Sequence, residues 1–575
     1  WGGACFGFGT CQVSMTVSRT ANAKFLKGPF TIKIASGTPA AGSGTVTSQA
    51  GLTPVINCVI TNGTRAATGC SAKYPAGTAV TLTASPAAGF VFSGWDAPCS
   101  GTGTCTYVAV QNVTLSATFR ASGPSSFAAE GRWEPPIPTQ VVSIHMHLLP
   151  TGKVLLWGHT GHAQLWDPAN PGAGLSTVNT PYEVFCSGHT LLPDGRLFVA
   201  GGHISTDHGL PSGGIFDPVS GSWTAVPPMA QGRWYPTTTA LPNGDIVVLA
   251  GADETGTSVT VPEVWNGSGW RRLTTAGLDL PYYPSMFVAP NGKVFLAGDR
   301  STTRYLDVSG TGAWTTVAER RVADRNAGSA VMYAPGKVLF AGGGDLPTSS
   351  AEVIDLNDGA PAWRNVAGMV HPRRHMLATI LADGTVLVTH GTSGVNNDQA
   401  RAVRYPERWD PVSESWTTMA REPAVRVYHS TALLLPDGRV LSSGSGEGNG
   451  VNFANSQFSA QVFTPPYLFD ADNNLAPRPI IASVPSSLSY GQSFSVESPD
   501  AGSVSRGTLI RLSSVTHSFN QSQLIYPLSF TATGPSTLTG TAPASSNLAP
   551  PGRYMLFLIN GAGVPSVAKI VTVGP

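Results

Sequence analysis

The sequence predicts an all-β protein: a seven-bladed propeller with small β modules before it and a β-sandwich after it. Three observations carry that prediction. A strand, turn, strand unit recurs seven times from about residue 129, with one glycine at each turn. Glycine (66) and proline (46) make up about a fifth of the 575 residues, well above ordinary usage, and they are scattered without a period. That excess argues against a helical bundle or collagen. With 12% charged residues, 41% apolar residues and a net charge of +1, neither a disordered chain nor a nucleic-acid-binding footprint is supported. No apolar run approaches the ~18 residues a membrane-spanning helix needs.

The first elements are marked by cysteines. Six of seven (Cys5, Cys11, Cys58, Cys70, Cys99, Cys105) fall within the first 105 residues, and Cys186 stands alone. The opening segment repeats at an offset of 94, placing Trp1 on Trp95, Cys5 on Cys99, Cys11 on Cys105 and Phe25 on Phe119. That spacing favours disulfides Cys5–Cys11 and Cys99–Cys105 and leaves Cys58 for Cys70, in an oxidising, extracellular setting. A zinc site is disfavoured because the copies contain no histidine and no C-x-x-C. Thr78, Val80, Leu82 and Ala84 alternate before a turn at Ala87–Gly89, as short strands do. This segment resembles the small β repeat modules of bacterial secreted and surface proteins. Residues 1–35 are expected to be a truncated module, 36–120 a complete one and 121–128 a linker. Trp95 is read as core, with an exposed carbohydrate-binding tryptophan as the alternative.

The next expected unit spans 129–475. Its hairpin glycines, Gly152, Gly195, Gly244, Gly292, Gly336, Gly384 and Gly438, recur at a propeller period, and each supplies the positive φ of a tight turn. D-P-x-x-x-x-W endings such as Asp217 to Trp223 and Asp410 to Trp416 make the repeats kelch-like. The last repeat lacks such an ending, while Gly131, Arg132 and Trp133 precede the first. The two ends are therefore expected to close the ring and remove its free edges. Short alternating strands over 476–575 read as an immunoglobulin-like sandwich.

Nine residues before each turn glycine lie Ser143, Cys186, Tyr235, Tyr283, Ala327, His375 and His429, with Tyr428 one residue ahead of the last. Read as equal positions on the innermost strands, they form a ring around the axis that carries a thiol, phenols and imidazoles in place of small aliphatic side chains. Adjacent repeats would then bring Cys186 against Tyr235, close enough for a thioether. Imidazole and phenolate donors suit copper. Tyr235, Tyr428 and His429 supply three ligands, and His517, in the loop SSVTHSFNQ, is a candidate fourth.

The motifs VFCSGHTLLPDG, GRWYPTTTALPNG, VRVYHSTALLLPDGRV, AQVFTPPYLF, THSFNQ and GRYMLFLINGAGVPS together resemble the copper radical oxidases, which include galactose oxidase and glyoxal oxidase. The resemblance covers roughly 129–575. It implies a single copper ion held by Tyr235, Tyr428, His429 and His517, and a Cys186–Tyr235 thioether as a protein-derived radical cofactor. It further implies oxidation of a primary alcohol or an aldehyde hydrate, with dioxygen reduced to hydrogen peroxide. Tyr428 would take the substrate's hydroxyl proton and Tyr235 the carbon-bound hydrogen. Tyr283 and His375 are candidates for the substrate pocket, and small aldehydes or simple primary alcohols are favoured over hexoses. Galactose oxidase shields its thioether with a tryptophan from the segment that here reads AGADETG. Trp234 is the nearest substitute, but strand alternation is expected to turn it away from Tyr235.

His145 and His147 share one face of a strand and read as structural. His159, His162, His189, His203, His208, His371 and His390 receive no role. No G-x-S-x-G elbow or G-x-G-x-x-G loop stands in the strand–helix context that a hydrolase or a dinucleotide-binding enzyme needs. The competing class is a non-catalytic propeller that binds glycan or protein and holds no metal.

Overall fold

The computed structural model describes residues 2–3, 21–22, 28–37, 42–96, 98–99, 102–121, 126–159, 162–298, 300–447 and 456–575. Cys5 and Cys11, and the disulfide expected between them, lie outside the described residues. The chain divides into two compact units, Trp1–Ser125 and Ser126–Pro575.

In the first unit a five-stranded and a four-stranded sheet enclose a core of Ile32, Ile34, Val46, Leu82, Trp95 and Phe119. Trp95 is fully buried and its indole N–H donates to the Gly103 carbonyl at 2.8 Å, so it is a core residue. Disulfides join Cys58 to Cys70 and Cys99 to Cys105. The boundary expected at 35/36 cuts a strand. Phe30–Ser36 lies between Ser71–Tyr74 and Val113–Ala121 in one sheet, because Ile32 and Ile34 fill its buried face.

The second unit is almost wholly antiparallel sheet. Among the described residues seven sheets of this kind follow in order, and their inner hairpins are His145–Leu148 with Val154–Trp157, Gly188–Leu191 with Leu197–Ala200, Thr237–Ala240 with Ile246–Leu249, Met286–Val288 with Val294–Leu296, Ser329–Ala334 with Lys337–Ala341, Leu377–Ile380 with Val386–Thr389, and Thr431–Leu434 with Val440–Ser443. Two further strands complete each of the first six. In the seventh, Ser459–Thr464 is joined by Arg132–Trp133, with Arg132 opposite Thr464, so the segment before the first hairpin finishes the last sheet. Each hairpin glycine has positive φ, from 75° at Gly336 to 93° at Gly195. The inner strands of the first and last sheets are also tied, since Thr431 Oγ1 donates to the Ser143 carbonyl at 2.6 Å.

The carboxy-terminal strands form a five-stranded sheet facing a three-stranded one. One excursion leaves that sandwich. Ser514–Thr516 pairs with His145–Leu148, and Thr516 opposite Phe519 closes a two-residue hairpin with His517 and Ser518 at its tip. His517 thereby stands beside the innermost strand of the first sheet. Among the described residues, no helix is long and apolar enough to cross a membrane.

Candidate active site

Six of the seven equal-register residues adopt left-handed backbone: Cys186 (φ 64°), Tyr235 (65°), Tyr283 (48°), Ala327 (55°), His375 (56°) and His429 (63°). This corrects the expectation that they lie on the innermost strands. Each sits in the turn just before its strand, for example Cys186 ahead of Gly188–Leu191 and Tyr235 ahead of Thr237–Ala240. Left-handed backbone is strained for a residue with a Cβ and persists only where its surroundings enforce it. Here part of the enforcement is visible: Tyr235 N–H donates to the Cys186 carbonyl at 2.9 Å, Tyr283 N–H to the Tyr235 carbonyl at 3.0 Å, and His375 N–H to the Ala327 carbonyl at 2.9 Å.

Three side chains converge at the Tyr235 hydroxyl. Tyr428 Oη lies 2.7 Å from it, His517 Nε2 2.8 Å and His429 Nε2 3.3 Å. The other ring nitrogens are committed elsewhere, which settles the tautomers. His429 Nδ1–H donates to the Gly446 carbonyl at 2.7 Å. Thr516 gives its hydroxyl proton to the Ile144 carbonyl at 3.2 Å and so accepts from His517 Nδ1–H at 2.7 Å. Both Nε2 lone pairs therefore face the Tyr235 oxygen.

Burial sets the electrostatics. It holds His429 down to about 4 and His517 well below the usual imidazole range. It raises both phenols, Tyr235 and Tyr428, and the Cys186 thiol. Two neutral imidazoles and two phenols that cannot ionise alone form a donor set completed by a cation, whose charge would reverse the cost of the phenolates. Imidazole and phenolate oxygen suit copper, so these residues fit that ion. Among the described residues no trio of His, Cys, Asp or Glu is arranged to hold a metal. The phenols are what distinguish this cluster.

Cys186 is fully buried and forms no disulfide. The Trp234 and Tyr235 rings stack with centroids 3.7 Å apart and planes within 7°. The expectation that alternation separates them therefore fails, because Tyr235 is in a left-handed turn and alternation governs only extended backbone. Trp234 Nε1–H is anchored on His203 Nδ1 at 3.0 Å, which gives a partner to a histidine left without a role by the sequence.

A cavity of about 810 Å³ opens beside the cluster, lined by Tyr235, Tyr282, Tyr283, Asn326, Arg374, His375, Asn396, Tyr428 and His517. Both candidate pocket residues line it. Tyr283 donates to the Ser187 carbonyl at 3.0 Å and packs its ring 4.6 Å from that of Tyr235. The half-buried His375 ring meets that of Tyr428, and its Nε2 is buried without a hydrogen-bond partner. Arg374, paired with Asp345 at 2.9 Å, was not foreseen.

Also unforeseen was a repeated brace. Arg233, Arg325 and Arg373, each two residues before a ring position, are fully buried and paired with Glu263, Glu352 and Glu407 on the third strand of their own sheets, and Arg426 pairs with Glu422. The signal was available in the repeats: an arginine at a fixed offset, answered by E-V-W, E-V-I or E-R-W.

The chain is 30% identical to a galactose oxidase of Gibberella zeae over 513 residues, which cover 81% of this chain and 74% of that one. The chain belongs to the copper radical oxidases. This oxidase is a copper-dependent oxidoreductase with dioxygen as its electron acceptor. It is 28% identical to an aldehyde oxidase, GLOX, of Vitis pseudoreticulata, over 68% of this chain and 82% of that one. A solved fungal alcohol oxidase, described as having catalytic diversity among the AA5 family and as a complex with copper, superposes with a TM-score of 0.71 at 29% identity, covering 77% of the oxidase and all of that chain. Family models match at 478–573 (galactose oxidase-like, early set domain), 190–230 (kelch motif) and 56–123 (divergent InlB B-repeat domain).

Proposed function

We propose that Tyr235, Tyr428, His429 and His517 hold the copper, that Cys186 and Tyr235 are joined by a thioether that stores the radical, and that the substrate is a small aldehyde, taken as its hydrate, or a simple primary alcohol. The convergence of two phenol oxygens and two bare imidazole nitrogens within 3.3 Å of one another's common partner, Tyr235 Oη, carries this reading. Copper supplies one redox equivalent and a Lewis-acidic point for the substrate's oxygen. Tyr428, hydrogen-bonded to Tyr235 and open to the cavity, takes the hydroxyl proton. Tyr235 takes the hydrogen from the substrate carbon, and sulfur on its ring makes it the second redox centre. His429 and His517 stay neutral, their Nδ1 protons held by Gly446 and Thr516. Tyr283 and His375 shape the wall facing the substrate.

In this reading the seven sheets close into a seven-bladed propeller, residues 476–575 form an immunoglobulin-like sandwich that contributes one ligand, and the disulfide-bonded amino-terminal module belongs to a secreted enzyme. A sugar primary alcohol is the second reading. It is favoured by the size of the cavity and by Asn326, Arg374 and Asn396 on its lining, polar groups a polyol would use. A peroxide-coupled assay over glyoxal, methylglyoxal, simple alcohols and galactose separates the two. Catalytic efficiency highest on the two-carbon and three-carbon carbonyls supports the first reading, and highest on galactose replaces it with the second. Peroxide from none of them, with copper loaded, removes both.

A further inference from the structure

Three histidines outside the copper cluster form a buried chain that ends on the backbone of Cys186. His145, His147 and His189 are all fully buried. The amide of Cys186 can only donate, and it points at His145 Nε2, 3.1 Å away, so that nitrogen is bare and the His145 proton sits on Nδ1. His145 Nδ1–H then donates to His189 Nε2 at 2.8 Å, and His189 Nδ1–H to Ser514 Oγ at 2.9 Å. Ser514 lies 2.9 Å from both His147 Nδ1 and the His189 carbonyl. A serine that accepts from the two imidazoles and donates to the carbonyl satisfies every proton in the chain. His147 Nε2 is left as a bare lone pair, the one atom of the chain without a partner.

Ordinary filling does not explain this arrangement. The positions equivalent to His145 in the other repeats are Gly188, Thr237, Ser285, Ser329, Leu377 and Thr431, none of them an imidazole. Burying three imidazoles is costly unless each is hydrogen-bonded. Burial keeps them uncharged, His189 held down to about 3 and the other two well below the usual range. The rings of His145 and His147 stack on Trp157 at 5.1 and 4.7 Å, which fixes their planes. At one end the chain holds the N–H of a left-handed Cys186 whose carbonyl is already held by Tyr235 N–H. At the other it is rooted on Ser514, two residues before Thr516, in the strand that presents His517.

We propose that His145, His189 and Ser514, ending on His147, are positioning residues that lock the Cys186 turn in the backbone conformation from which its sulfur meets the Tyr235 ring, and so set how fast the thioether forms. The inference rests on the thioether reading given above. In that step the Cys186 S–H and one Tyr235 ring C–H break and one C–S bond forms. Two electrons and two protons pass to dioxygen, giving hydrogen peroxide.

The test uses the full chain, purified without copper. Hydrogen exchange at the Cys186 amide is read by mass spectrometry. Cupric ion is then added in aerated buffer, and the joined Cys186 and Tyr235 peptides are followed by their loss of two hydrogens. His145→Leu keeps the packing and removes the acceptor. His145→Gln restores an acceptor for Cys186 and a donor for His189. Wild type and His145→Gln are expected to exchange slowly and to cross-link at similar rates, whereas His145→Leu exchanges and cross-links differently from both by at least about tenfold, faster in the first and slower in the second. A merely structural role would lower stability in both variants without a rescue by glutamine. Ser514→Ala, which strips the acceptor from His189, is the second variant should His145→Leu fail to fold, and it is expected to slow cross-linking in the same direction. Cross-linking at the wild-type rate in the folded variant overturns the proposal. A wild-type chain that never loses two hydrogens removes the thioether instead, while Cys186 exchange that the variant leaves unchanged removes the relay.

Discussion

Replacing Arg233 with methionine should uncouple the Tyr235 turn from its sheet. The guanidinium is fully buried and donates to three acceptors: the Ala250 carbonyl at 2.9 Å, the Val261 carbonyl at 2.7 Å and Glu263 Oε1 at 3.0 Å. Glu263 is itself 1% exposed, and its other oxygen accepts the Ala230 amide at 3.0 Å, so the variant strands a carboxylate in the interior. Removing one partner of a buried pair costs about 3–5 kcal/mol. With a urea slope of about 3 kcal/mol/M, the unfolding midpoint should fall by about 1–1.7 M, and by less if the slope is steeper. Tryptophan fluorescence in urea at pH 7 reads it. The loss should shrink in the double variant Arg233→Met with Glu263→Leu, because apolar side chains of similar volume replace both charges. Peroxide output should follow the same order, since Trp234 and Tyr235 are the next two residues. A midpoint shift worth under about 1 kcal/mol, or a double variant no better than the single, would refute the idea that this pair braces the turn.

Trp234→Leu removes the ring stacked at 3.7 Å on Tyr235. An aromatic pair is worth about 0.5–1.5 kcal/mol, and the electron-poor oxidised ring gains more from the indole face than the phenol does. The radical's potential should therefore rise by about 20–65 mV at 59 mV per factor of ten, and an unchanged redox titration would count against it. Cys186→Ser should fold and bind cupric ion yet show no two-hydrogen mass loss and no peroxide output above background; turnover at the wild-type rate would exclude the thioether. Burial lowers His189 to about 3 and His371 to about 4. The unfolded chain therefore binds protons that the folded one refuses between about pH 6.5 and 4, and stability must fall as pH drops through that window. Urea midpoints of the copper-free chain at pH 7, 6 and 5 should descend in that order, and a flat series would contradict the burial.

What was legible in the sequence was whatever a local backbone requirement had written into residue type. The seven hairpin glycines stand out because each turn needs positive φ, which glycine adopts without strain, and all seven have it. The gathering of Tyr235 and His429 at one hydroxyl was legible for a related reason, since equal register in a repeat carries side chains to equal height, whereas His517 lies outside the repeats and was legible only from its own loop motif. The detail that failed was the strand placement of the ring. Cys186, Tyr235, His375 and His429 take left-handed backbone without being glycine, and no residue-type rule flags that. The same miss turned Trp234 the wrong way. The arginine–glutamate braces were written in the repeats but went unread, whereas the His145–His189–Ser514 chain joins three distant segments and needed the topology before its spacing meant anything.

Ala327 shows how the site divides labour between fold and chemistry. It has no functional group, yet it takes the same left-handed turn as Cys186 or His429 and its carbonyl receives the His375 amide just as the Cys186 carbonyl receives that of Tyr235. The turn is therefore a property of the repeat and not of the side chain it displays. Such a turn costs of order 1 kcal/mol or more for a residue with a Cβ, and the cost is offset by amide–carbonyl bonds between neighbouring repeats at Tyr235, Tyr283 and His375 and, in four repeats, by a buried arginine. Because the offset is made in the backbone, any side chain can be set at the ring without rebuilding the scaffold. Two positions one repeat apart are then joined backbone to backbone, as Cys186 and Tyr235 are, which is the arrangement a bond between their side chains requires.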